Sequence, residues 1–173
     1  AIFKDEAAIC LDTSGEGLHK RGYRKKSNLA PLKETMAAAM VMMSYWKFEY
    51  PLCDPFCGSG TIPIEAAMFK RNIAPGLMRD FAAEQFDQID AKLWENARDE
   101  ARALERDISP EIYARDIDSE AVELTAENAR IAGVGRFIHV EKGDAADFYS
   151  DKKYKKNKKW NNKIACFQNS FYI

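Results

Sequence analysis

Apolar residues along the 173-residue chain fall into short runs and into stripes of three- and four-residue spacing. Ile2 to Asp12 reads as two short strands around a charged turn, followed by a loop over Asp12–Gly17 and the basic stretch Leu18–Arg24. Pro31 sits where a helix can begin, because a first-turn residue needs no N–H donor. That helix runs to about Trp46, with its Met and Ala residues as packing surface. A strand from Tyr50 to Asp54 enters a glycine-bearing turn, and an Ala-rich helix starts near Thr61. After a break at Arg71–Gly76, the residues Phe86, Ile89, Leu93, Trp94, Ala97, Ala101 and Leu104 form a helical stripe. This predicts one long amphipathic helix, an insertion packed on the sheet.

Ile112–Ala114 is a second strand ending in Arg115-Asp116-Ile117-Asp118. A helix follows with Ser119 as its N-cap, Ala121, Val122, Leu124, Ala126, Ala129 and Ile131 on its inner side, and Gly133 as its stop. Phe137–Glu141 is a third strand leading to Gly143-Asp144-Ala145, and Ile164–Phe167 is a candidate fourth. Strands alternating with helices, with a glycine turn after the first, predict an α/β, Rossmann-like fold with a doubly wound, mostly parallel sheet. Residues 1–30 divide off as a strand pair and basic linker, leaving 31–173 as the ligand-binding domain.

Composition changes this picture little. The chain is 46% hydrophobic and 31% charged, which excludes a disordered chain. Its longest apolar stretch, Met36–Met43, is well short of the ~20 residues of a membrane span. Ala1–Glu6 lacks a targeting pattern, which gives a cytoplasmic expectation. Four scattered cysteines without C-x-x-C spacing and two isolated histidines argue against a disulfide framework and against a metal site.

Charge adds more. The net charge is −1, yet His19–Lys33 carries six basic residues and no acid, and Lys152–Lys163 adds seven lysines and no acid. Two such stretches on a near-neutral chain suit a polyanionic partner, although a solvated surface explains the second equally well.

The candidate chemistry lies in Asp54-Pro55-Phe56-Cys57-Gly58-Ser59-Gly60-Thr61. Glycines let a ligand approach the backbone closely, and the following helix aims unpaired N–H groups and partial positive charge at the same place. Asp54 can hold a cationic group of that ligand. Pro63 stands where the dinucleotide fingerprint needs glycine, and no G-x-x-x-x-G-K-[ST] occurs. Asp116, with Asp118 as second choice, is placed to accept from ribose hydroxyls. Asp144, ending the third strand, is a candidate acceptor for the base of a nucleotide-like ligand, with Ile117 and Ala145 as apolar walls. Cys53 and Cys57 read as packing residues.

Asp-Pro-Phe-Cys-Gly-Ser-Gly-Thr resembles the S-adenosylmethionine (SAM) loop of amino-group methyltransferases. With Ile62-Pro63-Ile64-Glu65-Ala66-Ala67, Leu18-His19-Lys20-Arg21-Gly22-Tyr23-Arg24 and the break at Arg71–Gly76, it resembles one branch, the RNA methylases usually fused to a THUMP domain. These include bacterial enzymes that methylate guanine in large-subunit ribosomal RNA, and many carry the label of adenine-specific DNA methylases. The resemblance covers about Ala1 to Phe148. It implies SAM as cofactor with its adenine amino group at Asp144, RNA (ribosomal in the first instance) as partner, and Pro31, Leu32, Lys33 and Glu34 beside the methionine end of SAM.

Methyl transfer from a sulfonium is an in-line displacement by a lone pair. An aromatic amine is a weak nucleophile, so the enzyme must extrude the base and hold its amino group in line. In the family an Asn-Pro-Pro-Tyr segment does this. Asn169-Ser170-Phe171-Tyr172 keeps the outer residues and lacks both prolines. Asn169 and Tyr172 are thus the candidate catalytic pair of a degenerate segment. The favoured alternative is a truncated or frame-disrupted end, with an exposed sheet edge open to self-association. Three functions stay open: a guanine-directed RNA methylase, an adenine-directed DNA methylase, and a catalytically inactive fragment that binds SAM or RNA.

Overall fold

The computed structural model describes residues 2–4, 6–24, 31–47, 50–149 and 165–166. A short antiparallel pair, β1 (Ile2–Phe3) and β2 (Glu6–Ala7), opens the chain. The main sheet contains β3 (Leu52–Asp54), β4 (Ile112–Asp116), β5 (Ile138–Lys142) and β6 (Ala165–Cys166), in the order β5-β4-β3-β6, with every pair parallel. Among the described residues four α-helices accompany it: α1 (Glu34–Met43), α2 (Thr61–Arg71), α3 (Ala91–Ala103) and α4 (Ser119–Ile131). This is the expected α/β architecture with a parallel sheet.

Strand order reverses at β3, with β4 and β5 to one side and β6 to the other. In open parallel sheets the crevice at such a reversal, outside the carboxyl ends of the strands, is where ligands bind. The glycine turn leaves β3 at that end. Leu52, Cys53, Ile112, Tyr113 and Ala114 are buried, as strands covered on both faces require, while β5 alternates toward solvent at His139. Ile64, Ala66 and Ala67 of α2, Ala37 and Val41 of α1, and Ala129 of α4 complete the core. Each large aliphatic residue fully withdrawn from water contributes roughly 1.5–3 kcal/mol.

Several details depart from the expectations. Helix α1 starts at Glu34, not Pro31, because Lys33 is extended (ψ 138°) and the Leu32 carbonyl is taken by Arg24 instead of by a helical turn. It ends at Met43, where the Ser44 hydroxyl donates back to Val41 and Tyr45 turns to φ +51°. Its methionines are not all core, since Met36, Met42 and Met43 are exposed.

The long amphipathic helix is instead a 3-10 turn at Ala82–Gln85, a bend through Phe86–Asp90, and α3, capped by Asp90. No residue of α3 is buried. Of the predicted stripe within α3, Leu93 and Ala97 are exposed and only Trp94 and Ala101 are partly covered: Trp94 stacks on Phe81 at 5.6 Å, and beside it Arg98 donates to Glu84 at 2.6 Å. The N-cap of α4 is Asp118, whose carboxylate accepts from Glu120 N–H, rather than Ser119. The buried face of α4 includes the polar Thr125 and Asn128, while Ala126 is exposed. Gly133 does stop the helix, at φ +71°.

Residues 12–24 are laid along the body of the domain. Arg79 holds them by donating to the carbonyls of Ser14, Glu16, Gly17 and Lys20. No helix among the described residues is long and apolar enough to cross a membrane.

Candidate ligand cleft at the strand tips

Three strand ends meet around the turn that follows β3. Cys57 N–H donates to the Arg115 carbonyl at 2.9 Å, and Gly58 N–H donates to the Asp116 carboxylate at 2.9 Å. Gly143 N–H donates to the Asp116 carbonyl at 2.9 Å, and the Arg115 guanidinium reaches the Asp144 carbonyl at 3.2 Å. The glycine turn, Asp116 and the Gly143–Asp144 corner are therefore tied into one rim.

Asp54 ends β3 with its side chain buried, 3% exposed, accepting from Phe56 N–H at 3.2 Å. Pro55, Ser59, Gly60 and Thr61 are buried with it. Gly58 (φ +53°) and Gly60 (φ +82°) occupy the left-handed region, which a side chain disfavours. An added Cβ on Gly58 would meet nothing within 4 Å, so this position opens outward. Cys57 is buried and 3.4 Å from the Thr125 hydroxyl, and burial pushes its thiol up to about 12. It is a packing residue, as expected, and not a nucleophile at neutral pH.

Asp116 is half-buried, and its second carboxylate oxygen accepts from Asp118 N–H at 3.0 Å. Each carboxylate oxygen has two lone pairs, so capacity remains for further donors. Asp118 is exposed and serves as helix cap. Asp144 is exposed, with one oxygen accepting from Ala146 N–H at 2.9 Å. Ile117 is 67% exposed and Phe56 47%, large apolar surfaces left open beside these acceptors. Ala145 is half-buried at the same rim. Asn169 and Tyr172 lie outside the described residues.

Two of the described cations of the basic stretch before α1, Arg21 and Arg24, are already paired. Arg21 faces Glu65 of α2 at 3.5 Å, and the fully buried Tyr23 donates to the same carboxylate at 3.2 Å. Arg24 lies 3.5 Å from Glu34 of α1 and donates to the Leu32 carbonyl and to the Thr61 hydroxyl at the start of α2. Sequence reasoning missed these pairings, and also Arg115, Thr125 and Asn128. Only the polar residues within helical stripes hinted at them.

Among the described residues no cluster of three potential metal ligands occurs. A cavity of about 430 Å³ lies at the opposite end of β4 and β5, lined by Ser109, Glu111, Arg136 and His139 among others. It is remote from the reversal of strand order, and no role is assigned to it.

Comparison with known proteins fits this geometry. The family described as UPF0020, RMKL-like methyltransferase domain, matches residues 21–157. The chain belongs to this methyltransferase family. It is 48% identical over 149 residues to the protein named "Putative RNA methyltransferase YpsC" of Bacillus subtilis, covering 86% of this chain and 39% of that protein. A "predicted N6-adenine-specific DNA methylase" from Listeria monocytogenes shares 47% identity with a TM-score of 0.78, over 83% of this chain and 38% of that one. The structure of "SMU.472, a putative methyltransferase complexed with SAH" shares 43% identity with a TM-score of 0.75, over 82% and 37%. The chain thus spans about two fifths of the length of these relatives.

Proposed function

We propose that this chain is the methyl-donor-binding part of a SAM-dependent methyltransferase that modifies an exocyclic amino group of a nucleic-acid base, in the first instance guanine in ribosomal RNA. The single observation that carries the reading is the joined rim at the reversal of strand order. A glycine turn whose Ser59 N–H has no acceptor among the described residues, a strand-end carboxylate and open apolar surface lie together there.

The residues fit such a donor. Ser59, Thr61 and Ile62 N–H groups have no acceptor among the described residues, which leaves them for the carboxylate at its amino-acid end. Asp54 supplies negative charge at the strand end near its ammonium. Asp116 accepts from ribose hydroxyls, Asp144 accepts from the adenine amino group, and Ile117 and Ala145 flank the ring. SAM supplies an electrophilic methyl group carried on a sulfonium. The chain's own contribution is to fix the donor so that an extruded base meets it in line. Asn169 as acceptor for the amine N–H, and Tyr172 as stacking surface, are the residues proposed for that base.

An adenine-directed DNA methylase is the second reading, favoured by the name of the Listeria relative, and it uses the same amine chemistry. Calorimetry with S-adenosylhomocysteine tests the donor site: saturable binding, weakened by Asp116→Ala, is expected, and no binding overturns the reading. A labelled-methyl assay on total RNA and on DNA, followed by nucleoside analysis, distinguishes the two substrates. Transfer to neither, with donor binding intact, identifies an inactive fragment.

A further inference from the structure

Two buried side chains of α4 reach the glycine turn. Thr125 is fully buried and Asn128 is 1% exposed. The Thr125 hydroxyl donates to the Gly58 carbonyl at 2.9 Å, and the Asn128 amide donates to the next carbonyl, that of Ser59, at 2.9 Å. The turn is pressed against this helix. A Cβ on Gly60 would stand 2.9 Å from Thr125 Cγ2 and 3.2 Å from its Cα.

A trans peptide points its C=O and N–H in opposite directions. Pinning the Gly58 carbonyl toward α4 therefore turns the Ser59 N–H, which shares that peptide plane, away from α4. Ser59 N–H has no acceptor among the described residues. Packing alone does not require polar residues here, because valine would fill the space of Thr125. What valine lacks is a donor for the Gly58 carbonyl, and its loss removes one of the anchors that fix the orientation of this peptide.

We propose that Thr125 is a positioning residue that locks the Gly58–Ser59 peptide, so that the Ser59 N–H is presented to the carboxylate of the methyl donor, while Asn128 fixes the next peptide, whose Gly60 N–H is already bonded to the Cys57 carbonyl. The inference rests on the donor-site reading above and deepens it by naming what aims the turn.

The test compares two ligands on the full chain. S-adenosylhomocysteine carries the amino-acid end, and 5′-methylthioadenosine has the same nucleoside thioether without it. Thr125→Val is expected to weaken S-adenosylhomocysteine by about tenfold, the loss of one anchored hydrogen bond to a charged group. Binding of 5′-methylthioadenosine stays unchanged, and Thr125→Ser restores both. Equal weakening of the two ligands, or none, overturns the proposal while leaving the donor site standing. Failure of the unmodified chain to bind S-adenosylhomocysteine overturns both. Should Thr125→Val not fold, the backbone amide resonance of Ser59 in the unmodified chain decides. It is expected to shift with S-adenosylhomocysteine and not with 5′-methylthioadenosine, and a shift with neither overturns the inference.

Discussion

The hydroxyl of Tyr23 donates to a carboxylate oxygen of Glu65 across 3.2 Å, and neither residue is more than 4% exposed. Arg21 supplies the compensating charge at 3.5 Å, and Arg24 does the same for the buried Glu34 on the neighbouring helix. What reads along the chain as a run of free cations is, in this part, the fastening that joins the starts of α1 and α2. Removing one member of such a buried pair costs more than the pair itself contributes, because the other charge is left without a partner.

Glu65 titrates accordingly. Burial is the largest influence and holds its carboxyl above the ordinary 4.5, against the opposing effects of Arg21 and Tyr23. The folded chain therefore binds this proton more tightly than the unfolded chain. The stability it contributes is full below the ordinary carboxylate range and is lost as pH rises through the raised value. Glu65→Gln keeps the shape and removes the titration. Its melting temperature relative to the unmodified chain should rise across the pH window that begins at the ordinary carboxylate value of 4.5 and extends above it. A difference that stays flat across that window would show Glu65 to be unshifted.

Arg24→Lys retains a positive charge near Glu34 but loses the planar fork that reaches both Leu32 and Thr61. A stability loss of roughly 1–3 kcal/mol in urea unfolding is expected. Wild-type stability in the lysine variant would mean that the fork is incidental.

The two glycines of the turn should separate stability from binding. Gly60→Ala adds backbone strain and a collision with Thr125, for a loss of about 2–4 kcal/mol. Gly58→Ala adds only the strain, roughly 1–2 kcal/mol, because its Cβ enters open space. The proposed donor would approach through that space, so Gly58→Ala should weaken S-adenosylhomocysteine in calorimetry with a smaller drop in melting temperature than Gly60→Ala. The opposite ranking in thermal unfolding would contradict the packing of the turn on α4.

Cysteine reactivity follows from burial. Cys10 is exposed, whereas Cys53 and Cys57 are buried and the Cys57 thiol is pushed up to about 12. Native-state alkylation near neutral pH, read by peptide mass spectrometry, should label Cys10 and spare Cys53 and Cys57 until the chain is unfolded. Rapid labelling of Cys57 would contradict its enclosure.

The parts legible in the sequence are those fixed locally. A strand, two glycines and a helix start within a dozen residues specify the turn, and a carboxylate at the next strand end follows from the alternation of elements. Asp118 and Ser119 were harder to separate, because both are good caps and the choice depends on where the backbone leaves β4. The predicted apolar stripe did not hold: Phe86 and Ile89 lie before α3, Leu93, Ala97 and Leu104 are exposed, and Trp94 stacks on Phe81 instead of the sheet. Least legible were Thr125 and Asn128. Helical periodicity assigns the inner face of α4 to apolar residues, whereas the neighbour on that face is a turn with two carbonyls to satisfy. Glu34 and Glu65 were hidden for a related reason, since their partners lie along a segment whose path only tertiary structure reveals.

The guanidinium of Arg79, shared among the carbonyls of Ser14, Glu16, Gly17 and Lys20, leaves that loop no partial way to let go. Residues 14–20 and the segment around Arg79 should exchange their amide hydrogens as one cooperative unit, at a common opening free energy. Arg79→Gln should divide that unit, so that the loop exchanges early while the sheet stays protected.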